Sequence, residues 1–489
     1  MVAPTPESLV GVWVGGFDVP GVVNSPLVEV EITSDGGALS GEVNQYLDPS
    51  ATRSGPVLAQ VTGIAIEGDS VTMTLANNDV EVTLTGALSA GGKLNGTATA
   101  NGKIGSFELA HAVNLSETSV SAWEGEHISG GAAYGLYAVD QGFSDSAVAT
   151  FWLVDLNSGQ WRLVIPTSED TALIGPAFGV AFPAEGNLSL VKGSDGAITG
   201  LRLDRGGAAA VVPRVTFKTE EVSFPSGDLT LAGRITLPQG NGPHPVVVLT
   251  HGSEPGRRGG YRLLTALLAM RGIAAFSYDK RGVGDSEGVY VENASESNIQ
   301  NLAGDAAAAV AAVKARSDIN PKQIGMWGAS QAGWVIPVAV TKSPDVAFII
   351  VTSGPVVSTN EEGAWGDFTN DGGTPSPKTL EALDAEIEAV QPSGVDSQDA
   401  IRALKIPGLW LFGAADRSIP AQKSARNLAR IKQETGGDFS WKVFEGGNHF
   451  MLETPDGMNA SLPYSNGFTP GYIDAIFAWL LPRVTIAGS

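Results

Sequence analysis

The sequence predicts an α/β domain with a mostly parallel sheet and an inserted cap, preceded by one or two all-β domains of barrel or sandwich type. Three observations predict it. From Leu9 to about Arg214, short alternating apolar runs follow one another between turn signals, the rhythm of antiparallel strands. From about Val215 onward, apolar runs alternate with helical stretches, as in a parallel sheet covered by helices. Between Val351 and Leu409 a long insertion interrupts that alternation. A chain of 489 residues, 43% of them apolar, can build two or three cores. The expected parts are a β-subdomain over 1–117, a second over 118–214, and the α/β domain over 215–489 with its cap at about 353–405.

The elements justify this in order. Leu27–Ile32 is a short alternating run that leads into Ser34-Asp-Gly-Gly37. Val71–Leu75 does the same before Asn77-Asn78-Asp79, and Val80–Leu84 and Leu94–Ala98 flank Gly91-Gly92. Phe107–Leu109 closes this series; near Glu117–Trp123 the rhythm pauses, which reads as a linker. It resumes at Tyr134–Val139, Val148–Val154 and Trp161–Ile165. No self-similar period of about 40–50 residues appears, so a β-propeller is not expected. Two antiparallel strands, Glu220–Phe224 and Leu229–Leu237, then lead to Val246–Thr250, a continuous apolar run suited to burial on both faces. Helix over Tyr261–Arg271, strand over Ile273–Tyr278, helix over Asn301–Arg316 and strand over Ile324–Trp327 follow. Further strands are expected at Val346–Val351, Leu409–Phe412 and Trp441–Phe444, with helices at Ala421–Gln433 and Tyr472–Leu481. The insertion reads as a loop, Glu361–Thr374, and an amphipathic helix, Pro377–Val390.

Composition narrows the chemistry. A formal charge of −22 argues against nucleic acid and anionic membranes as partners and favours a solubilising surface. No apolar stretch approaches the ~20 residues of a spanning helix. Without cysteine, disulfides, thiolate catalysis and Cys-ligated zinc are excluded. With five histidines, only the carboxylates of Asp367–Asp371 offer even a weak calcium candidate, so no metal or cofactor is expected. The opening Met1-Val2-Ala3-Pro4-Thr5-Pro6 carries neither a basic n-region nor an apolar h-region, which fits a cytoplasmic protein or one whose signal is removed. The Gly/Thr/Asn-rich β-region tips the expectation slightly toward export.

One segment carries the strongest chemical signal. Gly328-Ala329-Ser330-Gln331-Ala332-Gly333 lies between strand Ile324–Trp327 and an expected helix from Ala332. A serine there sits on a sharp strand-to-helix turn whose neighbours must be small, and the helix start favours an oxyanion nearby. Serine needs a base to become nucleophilic. His449, in Gly446-Gly447-Asn448-His449-Phe450, is the only histidine after Ser330; His111, His127 and His244 read as structural. The acid that orients the base is expected at a preceding strand end, where Asp416 follows Leu409–Phe412; Glu445 lies too near His449 along the chain. The loop His251-Gly252-Ser253-Glu254 follows the first buried strand and can aim a backbone N–H at an oxyanion. Ser253 is the expected donor there, with Gly252 the alternative, and Gln331 is the second donor. His251 reads as shaping this loop, and Asp279 and Arg281 as bracing loops around the site.

Together these motifs resemble the alpha/beta-hydrolase superfamily, and within it bacterial serine carboxylesterases with an N-terminal β-region. The resemblance spans roughly Val215 to Leu481 and rests on His251-Gly252-Ser253, Asp279-x-Arg281-Gly282-x-Gly284-x-Ser286, the turn at Ser330, Asp416 and His449. Ala332 stands where the family's last motif glycine is usual, and Glu254 departs from the common H-G-S-G. The resemblance implies hydrolysis of carboxylic esters, short-chain ones foremost, through an acyl-enzyme on Ser330. Small-molecule or polymer-linked esters are the implied substrates. It also implies a cap over the site, in which Trp365 and Phe368 either line a substrate pocket or anchor the cap.

The alternative is a serine peptidase of the prolyl-oligopeptidase kind, which shares the catalytic domain. Against it stand the missing propeller repeat and Gln331, where those peptidases often carry an aromatic residue. The β-region is expected to pack against the hydrolase and shape the cleft mouth, with docking on a polymer as the other reading.

Overall fold

The computed structural model describes residues 2–46, 60–76, 80–139, 146–373, 375–454 and 456–486. The expected turn at Asn77–Asp79 lies outside them. Among the described residues the chain forms two compact units, one of Met1–Val215 with Leu462–Gly467, the other of Thr216–Ser461 with Phe468–Ser489.

The first unit holds two antiparallel β-domains. Eight strands, from Gly11–Val19 to Lys103–Ala112, make a sheet rolled around Trp13, Phe17, Val30, Met73, Leu84 and Phe107. Strict alternation builds it: in Ser70–Ala76 every second residue is buried. A further eight strands, from Gly125–Ser129 to Ala208–Val215, close into a barrel filled by Leu136, Phe151, Val164, Leu188 and Leu201. Closure removes the exposed edges that a sheet otherwise presents. The expected linker at Glu117–Trp123 is a short helix instead. Ser116 caps its first turn, and Trp123 stacks on Phe151 at 5.2 Å. This segment is fixed by packing that apolar periodicity over seven residues does not reveal.

The second unit is an eight-stranded mixed sheet with helices. Its strands are β1 (Lys218–Ser226), β2 (Leu229–Leu237), β3 (His244–Thr250), β4 (Ala274–Tyr278), β5 (Ile319–Ala329), β6 (Val346–Thr352), β7 (Gly408–Gly413) and β8 (Phe439–Phe444), in the order β1-β2-β4-β3-β5-β6-β7-β8. The first two pair antiparallel, and from β4 to β8 every pairing is parallel. All seven residues of β3 are buried, as its unbroken apolar run predicts. Each fully buried Val or Leu there contributes about 1.5–3 kcal/mol. The chain runs from β3 to β4 on one side and then crosses to β5 on the other, so the carboxyl ends of β3 and β5 flank a topological switch point, where open α/β sheets bind ligands.

Helices α1 (Arg262–Ala269), α2 (Glu296–Lys314), α3 (Ala332–Lys342), α4 (Thr359–Thr369), α5 (Leu380–Ile387), α6 (Gln398–Ala403), α7 (Ala421–Thr435) and α8 (Tyr472–Leu480) complete the unit. The insertion between β6 and β7 differs from its expected form: residues assigned to the loop Glu361–Thr374 are largely helix α4. A capping box explains it, with Ser358 Oγ accepting from Glu361 N while the Glu361 carboxylate accepts from Ser358 N at 2.8 Å. The glycines within α4 hid this start signal. Helix α5 is shorter than the expected Pro377–Val390 and begins after the Thr379 cap. Trp365 of α4 packs on Leu383 and Ile387 of α5, giving the cap a small core of its own.

Candidate active site

The site grows from the turn after β5. Ser330 has φ +56°, the left-handed region that a non-glycine residue adopts at a cost of about 1–3 kcal/mol, and it is the residue where the strand gives way to α3. Its own N–H is fixed to Thr352 O at 3.1 Å at the end of β6. The loop after β3 closes on it: a Cβ added to Gly252 would lie 3.4 Å from Ser330 Cβ.

Asp416 follows β7 and is 1% exposed. Its Oδ1 accepts from Ser418 N and Ile419 N, each at 2.9 Å. Oδ2 meets His449 Nδ1 at 2.9 Å, with Oδ1 at 3.2 Å. A carboxylate held in this way fixes the proton on Nδ1 and leaves Nε2 as the basic nitrogen. The His449 turn is formed by Asn448, whose Oδ1 accepts from Phe450 N and Leu452 N at 3.0 Å each. It presses against the end of β7, where a Cβ on Gly413 would fall 2.1 Å from Gly447 O. Burial disfavours the imidazolium of His449, but the charges of Asp416, Asp371 and Glu362 outweigh it and raise the pKa. Glu362, on the first turn of α4, is pushed up to about 7 by burial, against the pull of His449 and with Asp371 and Asp416 adding to the rise.

The expected oxyanion donors stand at two element ends. Gln331 is the first residue after Ser330 and caps α3. Among the described residues, the backbone N–H groups of Ser253 and Gln331 donate to no other group, whereas Gly252 N donates to Glu254 Oε1 at 3.3 Å. His251 is buried, with Nε2 2.6 Å from Tyr278 O and Nδ1 2.9 Å from Tyr261 Oη. The carbonyl can only accept, so Nε2 carries the proton, and the ring ties the loop to β4 and α1. Asp279 accepts from Arg258 N at 2.7 Å and Asp285 N at 2.9 Å, and Arg281 binds Asp305 at 2.6 and 2.7 Å, so both brace loops.

Trp365 is buried and its indole donates to Asp416 O at 3.3 Å. This contact joins the cap helix to the loop that carries the acid. Phe368 is half-buried against the same cap cluster. A cavity of about 320 Å³ is bounded by Trp365, Leu380, Ala414, Asp416, Ala421 and Arg426.

Two residues of this neighbourhood were not legible in the sequence. Glu362 lay inside the assigned loop, where a carboxylate reads as solvated. Lys280 sits between Asp279 and Arg281 and reads as one charge among three, yet it is 1% exposed, with its ammonium on the loop after β3.

Residues 260–462 match the prolyl oligopeptidase family. An esterase from Pyrococcus furiosus is similar over 55% of this chain and 91% of its own, at 16% identity and a TM-score of 0.40. A thermophilic esterase from the planctomycete Thermogutta terrifontis is similar over 55% of this chain and 96% of its own, at 20% identity and a TM-score of 0.39. No curated protein sequence matches. The residues matched by the prolyl oligopeptidase family include Ser330, Asp416 and His449.

Proposed function

We infer that the protein hydrolyses carboxylic esters, short-chain ones foremost, through an acyl-enzyme on Ser330, with His449 as base and Asp416 as the acid that orients it. The observation that carries this reading is the 2.9 Å Asp416–His449 contact, together with Ser330 held at a left-handed turn beside Gly252. In the first half-reaction Ser330 Oγ attacks the ester carbonyl while His449 Nε2 takes its proton. The tetrahedral oxyanion is met by the N–H groups of Ser253 and Gln331, both lacking partners among the described residues. Collapse expels the alcohol, which receives the proton from His449. Water, deprotonated by the same nitrogen, then attacks the acyl carbon and restores Ser330.

The prolyl oligopeptidase match favours a second reading, cleavage of a peptide bond by the same three residues. Against it, the first unit is a rolled sheet and a closed barrel rather than a propeller. Initial rates on p-nitrophenyl acetate, butyrate, octanoate and palmitate, beside one aminoacyl-p-nitroanilide, decide between them. Ester turnover that declines with chain length is the expected result. Silence on every ester, with turnover of the anilide, would transfer the protein to the peptidases.

A further inference from the structure

We propose that Lys280 is a positioning residue for the oxyanion hole, its buried ammonium holding together the two peptide segments that supply the N–H donors. This rests on the reading that Ser330 is the nucleophile and that Ser253 and Gln331 stabilise the oxyanion. The lysine follows β4 and is 1% exposed. Its Nζ donates to Gly252 O at 2.7 Å, Ser253 O at 3.2 Å and Glu254 O at 3.3 Å, all on the loop after β3. It also donates to Gln331 Oε1 at 3.1 Å, on the residue that follows the nucleophile. One cation thus links segments that come from different strands and lie far apart in the chain.

The peptide geometry gives these contacts their consequence. Gly252 C=O and Ser253 N–H belong to one planar trans peptide, so they point in opposite directions. An ammonium 2.7 Å from the carbonyl therefore turns the Ser253 N–H away from Lys280, and it polarises the peptide so that the N–H becomes a better donor. The Ser253 carbonyl is held a second time by Tyr290 Oη at 2.6 Å, and the Tyr290 ring lies 5.4 Å from the ammonium. On the other side, the bond to Gln331 Oε1 pins the side chain of the second donor at the start of α3. The charged groups facing Lys280 are few: Glu254 is the carboxylate that acts on it, and burial pushes its pKa down to about 8 against that attraction. An N–H held and polarised in this way stabilises a developing oxyanion more than the ground-state carbonyl, and so favours the transition state.

The test compares wild type, Ser330→Ala, Lys280→Met and Gln331→Ala in kcat and KM for p-nitrophenyl butyrate and in affinity for phenylboronic acid, an analogue of the tetrahedral state. Lys280→Met is expected to lower kcat roughly 10–100-fold, below the full loss of an oxyanion donor, with KM within about twofold. Boronate affinity should fall by a similar factor, a coupling that a merely structural lysine would not produce. Gln331→Ala keeps the backbone N–H and should move both quantities the same way by about 3–10-fold. A folded Lys280→Met with unchanged kcat, or with kcat and boronate affinity moving independently, overturns the inference. If Lys280→Met does not fold, unchanged kcat and boronate affinity in Gln331→Ala overturn it instead. Absence of Ser330-dependent turnover in the wild type removes the underlying reading and this one with it, an outcome distinct from failure of the lysine alone.

Discussion

At the scale of residues, the site depends on charge around one imidazole. On the proposed function His449 is neutral when it accepts the Ser330 proton, and its pKa is raised because Asp416, Asp371 and Glu362 outweigh the effect of burial. The acid limb of kcat/KM is therefore expected above the ordinary histidine value of ~6.5, with activity lost as pH falls through it. Glu362→Gln removes one of the charges that favour the imidazolium, so the limb should move to lower pH, by roughly half a unit for a partly screened charge. A limb that stays in place or moves upward in the pH profile would show that Glu362 does not act on His449. Asp416→Asn leaves the shape but loses the carboxylate that sets the tautomer, and kcat should fall about 10³–10⁴-fold in steady-state assays. Ser330, Asp416 and His449 stand out as candidates in the sequence because each follows an expected strand, and with five histidines in the chain there is little competition for the proposed base. Lys280 and Glu362 do not, because burial of a charged side chain depends on what folds over it.

At the scale of elements, the cap helix α4 links stability to the site. Ser358 is fully buried and caps it, while Glu361 returns the bond and meets Lys423 Nζ at 2.8 Å. Ser358→Ala is expected to cost about 1–2 kcal/mol in urea unfolding, and to lower kcat modestly by loosening Trp365 from Asp416 O. Unchanged stability would mean that tertiary packing alone holds the helix. Strands with unbroken apolar runs, such as Val246–Thr250 and Leu409–Phe412, were readable because burial on both faces leaves no alternative pattern. Helix α4 was not, since Gly363 and Gly366 dilute its propensity and its apolar residues pack in a small cluster with α5. The barrel strands Gly186–Lys192 and Ala208–Val215 also escaped: the first is half-buried along most of its length, and the second is mostly exposed, so neither shows a clean alternation.

At the scale of the whole molecule, the two units are not divided at a single point in the chain. Residues Leu462–Gly467 belong to the first unit, where Trp161 N donates to Asn466 O at 2.9 Å, Phe178 N to Ser465 O at 3.0 Å and Gly179 N to Pro463 O at 2.9 Å. A chain starting at Thr216 would leave these carbonyls without partners, each bond being worth about 0.5–1.5 kcal/mol. Such a truncation is expected to show a lower Tm than the full chain's catalytic unit, and an unchanged Tm would mark the β-region as a detachable module. The division into antiparallel and parallel parts was readable from periodicity; this return of the chain was not, because six residues without a strong pattern carry no sign of their distant partners.

Intact-mass and peptide mass spectrometry, after brief mixing with p-nitrophenyl acetate and an acid quench, reads the proposed acyl-enzyme directly. A single acetyl adduct is expected on the peptide bearing Ser330, absent from Ser330→Ala and accumulating in Asp416→Asn as deacylation slows. An adduct on another residue, or ester turnover in Ser330→Ala equal to that of the wild type, would contradict the proposed acyl-enzyme.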